Sequence, residues 1–152
     1  MFGKPRKTNQ YRRKGRNLIA TNKIKPEQWH ISDAEVKEAL KAKGHDVKQI
    51  KKIHPLKHQV CISYWDVKGN ICSSFFSYRI FARWQEEAEK LIYTCQTLKQ
   101  WAKLNYVMKY EFAYYRYHSE MEDTLYATLE NHLYVLKKQH NKWFYSKITD
   151  KN

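Results

Sequence analysis

Histidine, cysteine and carboxylate side chains could supply catalytic or metal chemistry, but in this sequence they are scattered. Of the seven histidines, His54 and His58 stand four residues apart, and Pro55 between them breaks any helix face they could share. The carboxylates of residues 86–89 lie near a predicted helix start, where they complement the helix dipole. Four glycines make no glycine-rich phosphate loop. The sequence therefore predicts no catalytic residue, no metal site, no cofactor and no enzyme activity.

Positive charge is the chemistry that this sequence does concentrate. Lys and Arg total 29 against 15 Asp and Glu, which gives a net charge of +14, and nine of these cations lie in residues 1–26 without one acid. Such a segment cannot bury enough surface to fold alone, so it is predicted to be a disordered basic arm that binds phosphate. A solubilising tail or a transit peptide is the alternative. The candidate arm contacts are Lys4, Arg6, Lys7, Arg12, Arg13, Lys14 and Arg16.

A second basic patch accompanies a predicted strand and the turn after it. It contains no acid and includes two histidines, which suits contact with phosphates. The alternative is an edge strand that lysines protect against aggregation. Trp65, Phe75 and Tyr64 could stack on bases, although strand aromatics are more often core residues. The candidate nucleic-acid contacts in the folded part are Lys48, Lys51, Lys52, Lys57, Trp65, Lys68 and Arg79.

The cysteines and the hydropathy of the chain indicate which cellular compartments fit it. The three cysteines are an odd number without a Cys-x-x-Cys pair, which favours an intracellular, reducing compartment and leaves cytoplasm, nucleus and organelle matrix open. No apolar run approaches the roughly 18 residues of a membrane span, and the N-terminus has no apolar signal core. No membrane partner is expected.

A helix over residues 33–43 is predicted by its start and stop signals. Ser32 and Glu35 have the spacing of a capping box, in which each side chain accepts from the other residue's backbone N–H. Ile31 and Val36 form the matching hydrophobic staple, and Gly44 supplies a left-handed stop.

Three antiparallel strands are predicted at Val47–Ile53, Gln59–Asp66 and Ile71–Phe81, where β-branched and aromatic residues are enriched. The hairpin at 66–70 contains Gly and Asn suited to positive φ. Alternation directs Val60, Ile62 and Tyr64 to one face and Cys61, Ser63 and Trp65 to the other. In the third strand it sets Phe76, Tyr78 and Ile80 opposite Ser73, Phe75, Ser77 and Arg79.

Helical spacing returns after Phe81, with apolar residues every three or four positions over 84–102 and again over 106–138. Asn105 is the expected break. The predicted class is α+β: a small three-stranded antiparallel sheet packed on a helix, with an N-terminal capped helix and a C-terminal helical extension. The predicted domains are a disordered basic arm (1–26), an α-β-β-β-α nucleic-acid-binding domain (27–104) and a tyrosine-rich helical extension (105–152), whose tyrosines could contact a protein partner.

The stretch from Val47 to Ile92 resembles the Apetala-two-type DNA-binding domain of plant ethylene-response and apicomplexan regulators. The resemblance rests on the strand-strand-strand-helix order and on the segments Ile62–Asp66, Lys68–Asn70, Phe75–Tyr78 and Glu87–Leu91. It implies that the outer face of the sheet enters the major groove. That family usually places several basic residues on this face. On the predicted face of this chain Arg79 is the one basic residue.

Nucleic acid is therefore the expected partner, with DNA favoured over RNA. The favoured function is a regulatory or accessory protein on duplex DNA. The alternatives are a structural RNA-binding component of a ribonucleoprotein such as a ribosome, and a protein-protein interaction subunit.

Overall fold

The computed structural model describes residues 16–150. These residues form two compact units. The sheet unit comprises residues 18–86, and the helical unit comprises residues 16–17 and 87–150. The helices are α1 (Asp33–Ala42), α2 (Ala82–Thr94), α3 (Leu98–Tyr114) and α4 (Ser119–Thr149), and the strands are β1 (Val47–Pro55), β2 (Val60–Asp66) and β3 (Ile71–Phe76). The predicted α+β class, with a small antiparallel sheet, is confirmed.

The helix α1 begins where its capping residue predicts. Ser32 Oγ accepts a hydrogen bond from the backbone N–H of Glu35 at 3.1 Å, and Gly44 takes a φ of +88° after the last turn. The carboxylate of Glu35 bonds to Arg83 at the start of α2 instead of completing the capping box. One half of the predicted box thus caps α1, and the other half ties α1 to α2.

The sheet has the order β1-β2-β3, with both pairs antiparallel. At the β2–β3 hairpin Gly69 has the predicted positive φ, at +85°, whereas Asn70 does not. Asp66 Oδ1 accepts from the backbone N–H groups of Lys68 at 3.0 Å and Asn70 at 2.8 Å. This side-chain turn holds the hairpin closed.

The predicted alternation in β2 is confirmed. Val60, Ile62 and Tyr64 are buried, while Cys61, Ser63 and Trp65 are partly exposed on the other face. The buried face joins Val36 and Leu40 of α1 and Trp84 of α2 in the core of the sheet unit.

Two predicted boundaries in this unit are wrong by several residues, whereas the end of β1 and the start of β2 differ from their predictions by two residues and one residue. The third strand ends at Phe76 instead of Phe81, because Ser77 Oγ accepts from the N–H of Arg79 at 3.2 Å and starts a 3-10 turn over Tyr78–Ile80. The arm predicted for residues 1–26 ends too late. Leu18, Ile19 and Ile24 are at most 2% exposed and belong to the folded sheet unit. Residues 1–15 lie outside the described part of the chain.

The helical unit also departs from the predicted boundaries. Asn105, the expected break, lies inside α3, and the helices separate instead at residues 95–97 and 115–118. Thr97 caps α3 by accepting from the N–H of Gln100 at 3.1 Å. Between α3 and α4, Trp101 Nε1 donates to the carbonyl of Leu129 at 2.9 Å.

Candidate nucleic-acid interface

The face of the sheet that carries Cys61, Ser63 and Trp65 is called here the outer sheet face. Cross-strand pairing arranges its residues in three rows across the three strands. The rows are Gln49-Trp65-Ile71, Lys52-Ser63-Ser73 and His54-Cys61-Phe75. Side chains from all three strands therefore share one surface.

Two β-bulges in β1 determine where its lysines point. Ile50 pairs with Tyr64 and Lys52 with the next residue, Ser63, so Lys51 is an extra residue between them. Ile50 is buried on the inner face, whereas Lys52 lies opposite Ser63 on the outer face and Lys51 Nζ lies 5.8 Å from the ring centroid of Trp65. Strict alternation would send consecutive lysines to opposite faces. The bulge brings both cations to the outer sheet face.

Apolar side chains are exposed beside these lysines. Phe75 is 58% exposed and Ile71 is 52% exposed, while Trp65 is half-buried beneath Lys51. An antiparallel sheet usually shows polar residues on its solvent side, so large exposed apolar side chains there indicate a binding surface. Phe75 offers a ring on which a base can stack.

The middle of the outer sheet face is polar. Ser63 Oγ and Ser73 Oγ are 3.0 Å apart, and Cys61 Sγ lies 3.9 Å from Ser73 Oγ. Hydroxyl groups both donate and accept, so these serines can bond to phosphate or base edges. Gln49, at one end of the face, is exposed and supplies an amide of the type that contacts adenine.

The remaining predicted lysines of the sheet unit lie at both ends of the sheet. Lys57 is exposed in the β1–β2 turn, and Lys68 is exposed in the β2–β3 hairpin. Lys48, exposed near the start of β1, belongs to the same end as Lys68 because Val47 pairs with Asp66. Cations at both ends could contact phosphates at separate positions along a nucleic acid.

Asp66 is an acid within this basic surface, and its carboxylate stabilises the hairpin by accepting backbone hydrogen bonds. The backbone N–H of Asn70 is the main cause that lowers the pKa of the Asp66 carboxyl, and the N–H of Lys68 acts in the same direction. The hydrogen bonds that hold the turn together are thus the same ones that stabilise the charged carboxylate.

Arg79 does not lie on the outer sheet face, so its predicted position is wrong. It is 3% exposed within the 3-10 turn, its Cζ lies 4.6 Å from the ring centroid of Trp84, and its Nη1 donates to Ser77 Oγ at 3.2 Å. The early end of β3 removes it from the strand alternation on which the prediction depended.

The predicted arm residues are mostly outside the described part of the chain. Arg16 is exposed at the start of the described residues. Its charge acts against the burial that raises the pKa of Tyr110 to about 12. Six arm predictions fall on the undescribed segment, namely Lys4, Arg6, Lys7, Arg12, Arg13 and Lys14.

Within residues 16–150, no three His, Cys, Asp or Glu side chains lie close enough together to hold a metal ion. None of the helices in that part of the chain combines the length and the hydropathy of a membrane span.

Sequence reasoning missed two sets of candidate contact residues, one in each unit. Gln49 and Ile71 complete the row of Trp65, but only strand pairing identifies them as its neighbours. Sequence reasoning also assigned no nucleic-acid contact to the end of α4, although residues 131–149 contain four lysines and no acid. That acid-free run was the available signal.

A comparison with protein-family models, curated proteins and solved structures finds no match for this chain. The Apetala-two-type resemblance accordingly stays a prediction.

Proposed function

We propose that this chain is a non-enzymatic nucleic-acid-binding protein that places its outer sheet face on duplex DNA, in a regulatory or accessory role. The observation that carries the proposal is the bulge in β1, which brings Lys51 and Lys52 to the surface where Trp65 and Phe75 lie. Cations beside exposed apolar rings match the phosphates of a duplex and the apolar groups at its base edges, such as the thymine methyl group.

The dimensions of the sheet support a groove as the docking site. Neighbouring strands lie about 4.8 Å apart, so the backbone of three strands spans about 10 Å. The major groove of B-DNA is about 12 Å wide and admits β-structure. In this orientation the strands run along the groove, so Lys51 and Lys52 on the edge strand β1 are suited to the phosphates at one of its borders.

The chemistry of the face supports phosphate binding more strongly than sequence readout. Arginine reads guanine through two parallel hydrogen bonds, but Arg79 is buried against Trp84. The lysines of the outer sheet face act as point charges. We therefore expect high affinity at low salt and modest base discrimination, with Gln49 as the candidate for a base contact.

The exposed ring of Phe75 favours a second candidate function, the binding of RNA with unpaired bases as a component of a ribonucleoprotein. A ring that is 58% exposed can stack on a base only where that base is not already stacked in a duplex. For either polymer, a reducing intracellular compartment is part of the proposal.

The test is competition binding of one duplex DNA and one structured RNA against increasing salt, with the full chain. We expect duplex DNA to bind at least as tightly as RNA, and a tenfold preference for RNA would select the second candidate. The double variant K51Q/K52Q should reduce the slope of log affinity against log salt by about 2, because each phosphate contact contributes about 0.9.

The matched control is K37Q/K43Q, which removes the same charge from exposed lysines outside the sheet. Equal slopes for the two double variants would reject the outer sheet face as the binding surface. No binding of either polymer at low salt would reject the function itself.

A further inference from the structure

The last turns of α4 carry an unusual combination of charge and aromatic rings. Residues 131–149 contain Lys137, Lys138, Lys142 and Lys147 and no Asp or Glu. The same stretch includes the consecutive aromatic residues Trp143, Phe144 and Tyr145. Residues 134–148 are called here the distal α4 segment.

The distal α4 segment is open to solvent. Leu136 is buried, but each residue from 137 to 150 is exposed. Trp143, Phe144 and Tyr145 are 57%, 51% and 68% exposed. Exposing apolar rings of this size to water is unfavourable, so their exposure on one helix indicates a binding surface.

The arrangement of these side chains around the helix indicates which kind of partner fits. Consecutive residues on an α-helix are about 100° apart, so the three aromatic residues point in three different directions. Lysines lie between them, with Lys147 Nζ 5.5 Å from the ring centroid of Trp143 and Lys138 Nζ 5.0 Å from that of Tyr134. The segment therefore has no separate apolar and polar faces.

This arrangement does not suit a membrane surface or a second copy of the chain. A helix that lies on a bilayer needs one continuous apolar face with its cations on the other. A symmetric contact with a second copy would bring the same four lysines together, and like charges repel. A partner that surrounds the helix with negative charge on several sides fits better.

We propose that the distal α4 segment is a second nucleic-acid-binding element that lies in the major groove of duplex DNA. An α-helix with side chains is about 10–12 Å across, and the groove is about 12 Å wide. Phosphates border the groove on both sides and base edges form its floor, so the lysines meet phosphates while the aromatic rings contact bases and sugars. The inference rests on the proposed function, because it takes the same polymer as its partner.

The experiment measures the binding of a labelled duplex by the full chain at increasing salt. The quadruple variant K137Q/K138Q/K142Q/K147Q should reduce the slope of log affinity against log salt by about 3 to 4, because about 0.9 is lost with each phosphate contact. The matched control K37Q/K43Q/K99Q/K103Q removes four exposed lysines elsewhere and should retain the slope. Equal slopes and affinities for the two quadruple variants would overturn the inference.

A second variant changes no charge. W143A should weaken duplex binding and leave the salt slope as it is, because a ring contact is lost and the phosphate contacts remain. Duplex affinity equal to that of the unchanged protein would contradict a ring contact in the groove. Far-UV circular dichroism checks that both variants retain their helices.

Two further outcomes separate this inference from the proposed function. If K51Q/K52Q weakens duplex binding and the α4 quadruple variant does not, the inference fails and the outer sheet face remains. If the quadruple variant instead loses binding to phosphatidylserine vesicles with an unchanged duplex slope, the partner is a lipid surface and the inference is wrong. Absence of duplex binding by the unchanged protein rejects duplex DNA as the partner in both proposals.

Discussion

The guanidinium of Arg79 lies over the ring of Trp84, with 4.6 Å between its Cζ and the ring centroid, and both side chains are buried. A cation that the strand pattern assigns to a nucleic-acid surface thus belongs to the core. A desolvated cation–π contact contributes about 2 kcal/mol, and the arginine stem adds packing of its own. We therefore expect Arg79 to stabilise the fold and not to contact nucleic acid.

Replacing Arg79 by Ala should lower the free energy of unfolding by about 2–4 kcal/mol, measured by urea denaturation. Arg79→Lys should recover little, because an ammonium group lacks the planar surface that stacks on Trp84. The control Lys52→Ala, at an exposed position, should change stability by no more than about 0.5 kcal/mol. Unchanged stability of Arg79→Ala together with lost nucleic-acid affinity would restore the original interpretation of this residue.

Replacing Ser32 by Ala should lower the free energy of unfolding by about 1 kcal/mol, because the backbone N–H of Glu35 loses its hydrogen-bond acceptor. Glu35→Gln should cost less than about 1 kcal/mol, since the side chains of Glu35 and Arg83 are 31% and 30% exposed and solvent screens their ion pair. Thermal or urea unfolding of the two single variants measures this order. A larger loss from Glu35→Gln would show that the tie between α1 and α2 matters more than the cap.

The hairpin carboxylate predicts an acid dependence of stability. The folded state lowers the pKa of Asp66, chiefly through the N–H of Asn70. A carboxyl with a depressed folded-state pKa contributes stability above its unfolded pKa of about 3.9, and loses it as the pH falls through the lower folded-state value. The stability difference between the unchanged protein and Asp66→Asn should therefore be constant above about pH 5 and shrink at lower pH. A difference that does not vary with pH would exclude this role for the carboxylate.

Phe75→Ala should weaken binding without weakening the fold. The ring is 58% exposed, so its removal costs little core packing, whereas a stacked base is worth about 1–3 kcal/mol of affinity. Affinity for single-stranded and duplex polynucleotides, measured side by side, identifies the bases that it contacts. Affinity of the variant equal to that of the unchanged protein for both polymers would exclude Phe75 from the interface.

Local signals in the sequence predicted much of the sheet unit. The cap at Ser32, the glycine at 44 and the alternation in β2 each depend on neighbouring residues, and each is present in the structure. Features that depend on pairing could not be read in this way. The extra residue at Lys51 is defined only by its register with β2, and the burial of Arg79 depends on where Trp84 packs.

The helical unit contained a usable signal that the apolar spacing concealed. Thr97 and Gln100 have the spacing of a capping box, and Thr97 does cap α3. Ser119 and Glu122 have the same spacing, but Ser119 is the first residue of α4, and its N-cap is His118, which forms no side-chain cap hydrogen bond. A continuous apolar stripe shows that residues can share a helix face, but it does not show that one helix carries them all.

The burial of Leu18, Ile19 and Ile24 determines how a shortened form of this chain would behave. Full burial of such side chains contributes about 1.5–3 kcal/mol each, so losing all three would remove an amount comparable with the whole stability of an ordinary domain. A truncation made where the acid-free run ends, after residue 26, would therefore unfold the sheet unit and be mistaken for the loss of a phosphate-binding arm. A truncation after residue 15 spares these three side chains, so its effect on salt-dependent binding can be attributed to charge.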